Sequence, residues 1–263
     1  VGTRAFTHAT DLAAGVDAVS IAVPTDVHVE VALPFIDRGV AVLVEKPLAA
    51  SVNEADRLIA AAEARGVILA AGHTERFNPA VAVALPLVSA PRFIEVHRLG
   101  TFPERSLDID VIFDLMIHDL DLLLASVGSP VASIEAVGVH VLTPKTDIAN
   151  VRLRFASGCI ANLTASRISR ERVRKARFFQ HDSYVSIDYA SQDVEVYRLV
   201  RDNGRPAIEG GKLEIARDEP LRRELADFVD AVRSRRPPAV PARAGREALM
   251  LATRIADMME STT

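Results

Sequence analysis

Residues 39–49 read GVAVLVEKPLA, an apolar run that ends in an acid, a base and a proline. Uninterrupted apolar residues are typical of a strand that is buried on both faces. Similar runs lie on either side of it, DAVSIAV at Asp17–Val23 and VILAAG at Val67–Gly72. Two stretches of helical composition, VHVEVALPFIDR and EADRLIAAAEARG, separate the three runs. Strands of this kind that alternate with helices predict a parallel sheet covered on both faces.

Residues with known capping roles stand at the ends of the two predicted helices. Ser51 and Glu54 have the spacing of a capping box, which predicts the start of the second helix. Thr25 or Asp26 is predicted to cap the first helix, and Gly39 to end it. The caps therefore agree with the boundaries that the apolar runs indicate.

The residues that follow the predicted strands are candidates for a ligand site. Thr25, Lys46 and His73 each stand at the carboxyl end of a strand, which is where parallel sheets bind their ligands. Pro47 fixes the backbone directly after Lys46, and the peptide between them is a candidate cis bond. Taken alone, Glu45 and Lys46 are also compatible with an exposed ion pair at the end of a strand.

After residue 72 the chain changes to short segments that alternate between apolar and polar residues. This period of two predicts a second, mostly antiparallel sheet. The segments are RFIEVHRL, VRLRFA, CIANLTASRI, ARFFQ, YVSIDYA and DVEVYRLV. Two helices, LRRELADFVDAV and REALMLATRIADMM, are predicted to close the chain. The predicted domains are residues 1–72 and 73–263, with the last helix a candidate to pack back on the first domain. The predicted fold class is α/β plus α+β.

One segment of the second region, residues 108–127, reads DIDVIFDLMIHDLDLLLASV and predicts a helix that is apolar nearly all round. At 100° per residue its polar side chains fall in one narrow stripe. The stripe consists of Asp110, Asp114, His118 and Asp121. Asp119 interrupts the apolar surface opposite the stripe. Because a helix this apolar is normally buried, the stripe is predicted to line a pocket, where Asp114 can orient the imidazole of His118.

Four motifs together resemble one protein family. VSIAVPTDVHVEVA, GVAVLVEKPLA, GHTERFNPA and DLMIHDLDLL occur in the order found in the Gfo/Idh/MocA oxidoreductases and cover nearly the whole chain. The resemblance implies a partial Rossmann-type domain that binds NAD or NADP, followed by a substrate domain with an open antiparallel sheet. It also implies hydride transfer between nicotinamide and a sugar or nucleotide-sugar hydroxyl carbon. The chain is most similar to the branch that oxidises nucleotide-linked amino sugars, such as UDP-N-acetylglucosamine at its 3-hydroxyl.

The resemblance assigns roles to residues of this sequence. Lys46 matches the lysine of the family's Glu-Lys-Pro motif, and Asp114 and His118 match its Asp-x-x-x-His motif. A hydroxyl that loses hydride must also lose its proton, which requires a base and a cation near the developing oxyanion. His118 is the expected base, Asp114 its orienting partner and Lys46 the cation. The expected cofactor contacts are Pro24, Thr25, His28, Glu45, Lys46 and Pro47, and the expected substrate contacts are Asn78, Arg98, Arg105 and Asp121.

Several of these residues also have a structural interpretation. His28 and His73 are equally compatible with cofactor contacts and with local capping. Asn78 is compatible with a bond to a substrate hydroxyl or with capping the turn before Pro79. Arg98 and Arg105 are expected on the loop before the helix, where their guanidinium groups could meet a diphosphate.

The sequence departs from the family pattern at the phosphate loop. None of its thirteen glycines has another glycine two positions away, so the G-x-G-x-x-G motif is absent. We therefore expect the chain to begin inside the Rossmann domain, after its first two strands and the acidic residue that contacts the ribose. The choice between NAD and NADP depends on that segment, and weak dinucleotide binding is the expected consequence.

Composition limits the remaining classes of function. A net charge of −4 argues against a nucleic-acid partner, and the absence of a long apolar run argues against a membrane partner. The single cysteine, Cys159, is compatible with a cytoplasmic protein. Two other functions stay open: a catalytically silent sugar-binding or assembly protein, and a metal-dependent hydrolase or lyase that uses Asp114, His118 and Asp121. An open sheet with an uncovered face usually needs a partner, and the family resemblance implies a homodimer or homotetramer.

Overall fold

The computed structural model describes residues 3–12, 14–102, 109–202 and 205–260. The chain divides into two compact units, one comprising Val1–Thr74 and Leu221–Met250 and the other Glu75–Pro220 and Leu251–Thr263. The domain boundary predicted from the sequence placed Leu221–Met250 with the second domain, whereas the compact units place it with the first.

A three-stranded parallel sheet forms the centre of the first unit. Its strands are β1 (Ala18–Ile21), β2 (Ala41–Glu45) and β3 (Leu69–Gly72), in the order β1-β2-β3. Both pairs are parallel, and the first four residues of β2 are buried. The parallel sheet predicted from the three apolar runs is therefore confirmed.

Helices α1 (His28–Asp37) and α2 (Val52–Arg65) connect the three strands. The Ser51 hydroxyl accepts a hydrogen bond from the backbone N–H of Glu54 at 3.2 Å, as the capping box predicts. The cap predicted at Thr25 or Asp26 is wrong. Both residues lie inside a 3-10 turn, Thr25–Val27, which follows Pro24 and has no side-chain cap.

The C-terminal helices are α5 (Pro220–Ser234) and α6 (Ala242–Glu260). Phe228 of α5 packs with Ala41, Leu43 and Ala70 in one buried cluster, so α5 covers part of the parallel sheet. Gly245 of α6 lies so close to β3 that a Cβ atom there would stand 2.6 Å from the Cβ of Ala71. Residues far along the chain therefore complete the core of the first unit.

An eight-stranded sheet dominates the second unit, in the order β11-β10-β9-β8-β4-β7-β6-β5. All of its neighbours are antiparallel except β4 and β7, as predicted. The strands are β4 (Phe93–Leu99), β5 (Val131–Val139), β6 (Ile148–Phe155), β7 (Ile160–Ser166), β8 (Val173–Phe179), β9 (Ser183–Asp188), β10 (Asp193–Asp202) and β11 (Arg205–Lys212). Helices α3 (Pro79–Ala84) and α4 (Ile117–Val127) belong to the same unit.

Strands β5 and β11, the two edge strands of this sheet, were not predicted from the sequence. β5 reads VASIEAVGV, in which apolar and polar residues do not alternate regularly. Most of its side chains are exposed or half-exposed in the structure. Pro206, Gly210 and Gly211 lie within β11, and an edge position tolerates such residues because one side of the strand is unpaired. Within the described residues, no helix has both the length and the apolar character needed to cross a bilayer.

Candidate functional site

Glu45 and Lys46 lie where β2 ends, at the carboxyl edge of the parallel sheet. Both side chains are half-exposed, whereas Leu48 and Ala49 just beyond them are buried. The Glu45 carboxylate accepts a hydrogen bond from the backbone N–H of Lys46 at 3.3 Å. The Lys46–Pro47 peptide is cis, as the sequence suggested. The acid and the base are therefore held at the edge where a ligand of this sheet is expected.

Gly72, the last residue of β3, lies directly against Glu45. A Cβ atom on Gly72 would stand 3.0 Å from the Glu45 Cα and 3.1 Å from one of its carboxylate oxygens. The absence of a side chain at Gly72 is what lets the Glu45 carboxylate rest on the backbone of the next strand.

Glu224 of α5 is a further acidic residue at this edge, and the sequence analysis missed it. Its side chain is 1% exposed, and the Thr74 hydroxyl donates a 3.0 Å hydrogen bond to its carboxylate. Burial raises the pKa of Glu224 to about 7; Thr74 opposes the shift and Glu45 adds to it. Glu224 shares its buried helix face with Phe228 and Ala231, so the periodicity of α5 contained a signal for a buried acid.

His28 and His73 of the first unit are buried, each 1% exposed. The ring nitrogens of His28 lie 3.0 Å from the carbonyl oxygens of Val23 and Pro47, so the imidazole ties the end of the first strand region to the loop after β2. This geometry agrees with the structural interpretation of His28. Thr25 is half-buried and Pro24 is exposed, and their expected cofactor contacts stay predictions.

The helix with the predicted stripe begins with a π-helical turn, Ile112–Met116, and continues as α4. A π-turn holds one more residue than an α-turn, so the 100° spacing does not apply across it. The four polar residues accordingly divide. Asp110, Asp114 and His118 are half-exposed, and Asp121 is buried in an ion pair. The Asp110 carboxylate accepts a 2.7 Å hydrogen bond from the backbone N–H of Thr146.

Arg76 is the partner of Asp121. Its guanidinium donates to the two carboxylate oxygens at 2.6 and 2.7 Å, and the Asp121 side chain is 1% exposed. The carboxylate that was predicted to bind substrate or metal therefore neutralises an arginine. Within the described ranges, no group of three or more His, Cys, Asp or Glu side chains is arranged to hold a metal ion.

Arg98 occupies a different position from the one expected. It lies on β4 rather than on the loop before the helix, and it is 4% exposed. Its guanidinium donates to both carboxylate oxygens of Asp119 at 2.6 and 2.9 Å and to Glu75 at 2.8 Å. Burial opposes the charge of Arg98, but Asp119 and Glu75 outweigh it and raise its pKa. Two carboxylates bind the guanidinium in this structure, and the expected diphosphate contact of Arg98 stays a prediction.

The pattern of β4 contained a signal for this ion pair. Arg98 stands in the inward register of Ile94 and Val96, and all three are buried. A charged side chain at an inward position requires a partner, and Asp119 is a charged residue on the otherwise apolar part of the helix. The sequence pattern therefore indicated both members of the ion pair, Arg98 and Asp119.

Asn78 acts as a helix cap in this structure. Its side-chain oxygen accepts from the backbone N–H of Ala80, and its amide donates to the carbonyl of Tyr189, both at 3.0 Å. The residue is 1% exposed. This geometry is the structural alternative for Asn78, and its substrate contact stays a prediction. Arg105, the other expected diphosphate contact, lies outside the described residues.

The carboxyl edge of the first unit fits the nicotinamide and ribose end of a dinucleotide. Three parallel strands end there, Gly72 lets the Glu45 carboxylate lie against β3, and Lys46 supplies a positive charge. No residue here is assigned to the pyrophosphate, because the glycine-rich loop is absent from the sequence. A parallel sheet of this type, followed by a unit that carries Asp114 and His118, agrees with the two-domain, nicotinamide-dependent oxidoreductase class that the sequence motifs resemble.

Comparison with known proteins identifies the family within this class. Residues 1–73 match the family described as "Oxidoreductase family, NAD-binding Rossmann fold", and residues 93–182 match the "GFO/IDH/MocA C-terminal domain". The chain belongs to the Gfo/Idh/MocA oxidoreductases and is an NAD(P)-dependent enzyme of that family.

Relatives and solved structures agree with this assignment. The chain is 40% identical to UDP-N-acetylglucosamine 3-dehydrogenase of Acidithiobacillus ferrooxidans over 98% of its own length and 83% of the relative. A crystal form of that dehydrogenase superposes with a TM-score of 0.92 over the same shares of the two chains, at 39% identity. Myo-inositol 2-dehydrogenase of Thermotoga maritima is 27% identical over 90% of this chain and 75% of its own.

Proposed function

We propose that the protein transfers hydride between the 3-hydroxyl carbon of a UDP-linked N-acetylamino sugar and NAD or NADP. The observation that carries the proposal is the 40% identity to UDP-N-acetylglucosamine 3-dehydrogenase over nearly the whole chain. The inositol dehydrogenase is a more distant relative, at 27% identity. A nucleotide sugar is therefore favoured over a free polyol as the substrate.

His118 is the proposed base and Asp114 its orienting partner. Both lie half-exposed on a helix whose remaining side chains are mostly buried, and in this proposal they face the substrate. His118 removes the hydroxyl proton as the carbon loses hydride, and Asp114 stabilises the imidazolium that results. The nicotinamide supplies the hydride acceptor when it is bound.

Lys46 is the proposed electrostatic stabiliser of the substrate oxygen. Its ammonium group offsets the negative charge that develops on that oxygen as the proton leaves. The backbone around Lys46 supports this role, because the buried residues Leu48 and Ala49 anchor the loop immediately after it. Glu45, Lys46 and Pro47 are the proposed contacts of the nicotinamide ribose.

The proposed assembly is a cytoplasmic homodimer or homotetramer formed through the open face of the large sheet. Side chains along β6 alternate between buried and more exposed, so one face of the sheet is covered and the other is open. Strands β5 and β10 of this sheet carry exposed apolar residues, including Val137, Val139, Tyr197 and Leu199. Exposed apolar area of this kind is typical of an interaction surface.

Mutation of the proposed catalytic residues in the full gene product tests these roles. His118→Ala is expected to lower the turnover rate about 10² to 10⁴-fold, and Lys46→Met is expected to depress it strongly while the protein stays folded. Asp114→Asn is expected to give a smaller loss of turnover. Rates are divided by the folded fraction from circular dichroism, so that loss of structure does not count as loss of chemistry.

Two exposed residues provide matched controls. His181→Ala and Lys212→Met remove the same functional groups from side chains that are 90% and 57% exposed, and both are expected to retain wild-type turnover. Full activity of folded Lys46→Met would refute its proposed role. Turnover of myo-inositol without turnover of UDP-N-acetylglucosamine would refute the proposed substrate.

A further inference from the structure

Two arginine–carboxylate pairs hold the part of α4 that follows His118. Asp119 binds Arg98 of β4 at 2.6 and 2.9 Å, and Asp121 binds Arg76 at 2.6 and 2.7 Å. Each arginine donates to both oxygens of its carboxylate, a two-pronged geometry that fixes the orientation of the pair as well as its distance. Both carboxylates therefore anchor the helix within one turn of the proposed base.

The two carboxylates leave the helix in different directions. Residues Ile117–Val127 form a regular α-helix, in which Asp119 lies about 100° to one side of His118 and Asp121 about 60° to the other. Rotation of the helix about its axis, in either sense, draws at least one carboxylate away from its arginine. The two pairs together fix the direction in which the side chain of His118 leaves the helix.

The part of the helix before His118 is the π-turn Ile112–Met116. The extra residue of a π-turn changes the angular spacing of the side chains around the helix, and such turns are frequent at functional sites. The regular geometry of α4 therefore does not extend to the preceding turn. The ion pairs that set the rotation of His118 lie on its other side, in the regular part of the helix.

The two pairs belong to one network within the second unit. Arg76 lies in the 3-10 turn Thr74–Phe77, and its neighbour Glu75 accepts a 2.8 Å hydrogen bond from Arg98. The turn therefore reaches α4 directly through Arg76, and it also reaches β4 through Glu75. This connection holds the helix against two other elements of the chain.

The two pairs differ in burial. The Arg98 and Asp119 side chains are 4% and 2% exposed, so loss of that pair is expected to destabilise the fold. Arg76 is 20% exposed, whereas its partner Asp121 is 1% exposed. Arg76 is therefore the member of the network that can be varied with the least damage to the fold.

We propose that Arg76 is a positioning residue for the reaction, because its two-pronged bond to Asp121 sets the rotation of α4 and thereby aims the imidazole of His118 at the substrate hydroxyl. This inference rests on the proposed function, in which His118 is the base. Arg76 acts through Asp121 and has no contact of its own with the substrate in this proposal. A displacement of about 1 Å at a reacting group can cost about 10²-fold in rate, so the effect of Arg76 belongs to kcat rather than to binding.

Arg76→Lys in the full gene product tests the inference, because lysine keeps the positive charge but lacks the planar fork. With UDP-N-acetylglucosamine as the substrate, kcat per folded molecule is expected to fall about 10 to 10²-fold. The KM for the sugar and the dissociation constant of NADH are expected to stay near the wild-type values. Asp121→Asn removes the charge from the other side of the pair and is expected to give the same separation of kcat from KM.

Arg246→Lys is the matched control. Arg246 binds Asp56 with the same two-pronged geometry, at 2.7 and 3.0 Å, and its side chain is 24% exposed, close to the value for Arg76. This variant is expected to retain the wild-type kcat. Wild-type kcat in folded Arg76→Lys overturns the positioning role, and so does an equal loss of kcat in the control.

A double-mutant comparison separates positioning from a general effect on the enzyme. If Arg76 acts through His118, Arg76→Lys is expected to leave the residual rate of His118→Ala unchanged, because both changes remove the same contribution. A further loss of the same size in the His118→Ala background overturns the inference.

A second measurement needs no substrate. In spectra of protein with carbon-13-labelled histidine, the ring signals of His118 are those that are missing from His118→Ala. They are expected to shift in Arg76→Lys and to stay in place in Arg246→Lys, and unmoved signals in Arg76→Lys overturn the positioning role. Wild-type turnover of His118→Ala refutes the proposed function instead, whereas the ring signals still decide whether Arg76 orients His118.

Discussion

Two buried carboxylates, one in each compact unit, show how the partner of an acid decides its role. Asp119 and Glu224 are both 1% exposed and both lie on helices. Asp119 receives two hydrogen bonds from Arg98, whereas Glu224 receives one from a hydroxyl and has another acid, Glu45, as its charged neighbour. The first is part of an ion pair, and the second is an acid that titrates near neutral pH.

The comparison explains what each group contributes. A buried charge is stable only when an opposite charge and well-formed hydrogen bonds replace its water. Burial raises the pKa of Asp119, and the Arg98 guanidinium opposes that shift. Among the hydrogen bonds found in the described residues, Glu224 receives none from a cation. Protonation therefore removes the negative charge that burial disfavours. Asp119 is therefore structural, and Glu224 is available for a pH-dependent role.

Asp119→Asn should have the largest effect on stability. The change leaves Arg98 buried with Glu75 as its remaining acidic partner, and breaking a buried ion pair typically costs about 3 to 5 kcal/mol. Urea denaturation should show a loss of this size in the free energy of unfolding. Asp37→Asn is the matched control, because its ion pair with Arg65 is more than half exposed on both sides and should contribute less than about 1 kcal/mol. Equal losses in the two variants would contradict the distinction.

Glu224→Gln should remove a pH dependence of the stability that the wild type has. The folded-state pKa of Glu224, about 7, lies above its ordinary value of 4.5, so the native state binds this proton more tightly than the unfolded state does. The stabilisation is complete below about pH 4.5 and is lost as the pH rises through about 7. A shift of this size corresponds to roughly 3 kcal/mol.

The difference between Glu224→Gln and the wild type isolates this effect from all other titrations. The two proteins should have similar stability near pH 5, and the variant should be more stable near pH 8, by up to about 3 kcal/mol. Thermal or urea unfolding at both pH values measures the difference. A constant difference between pH 5 and pH 8 would mean that Glu224 does not ionise in this range.

The sequence predicted those parts of the molecule that depend on local pattern. The parallel strands and the Ser51 cap were confirmed because apolar runs and cap spacing act over a few residues. Pairings between distant residues were not predicted, since Arg98 and Asp119 are separated by 21 positions and Thr74 and Glu224 by 150. The π-turn was also missed, because its extra residue leaves no mark in a helical wheel drawn at 100°.

Asn78→Ala should have the smallest effect, and it separates the two interpretations of that residue. The change removes the cap of α3 and the hydrogen bond to the Tyr189 carbonyl, which should lower the free energy of unfolding by about 1 to 2 kcal/mol. If Asn78 is only a cap, the KM for the sugar substrate, measured with the folded fraction, should equal that of the wild type. Ser51→Ala removes the cap of α2, is expected to cost about 1 kcal/mol, and should also leave KM unchanged. A raised KM in Asn78→Ala, with stability equal to that of Ser51→Ala, would show that this buried amide contacts the substrate.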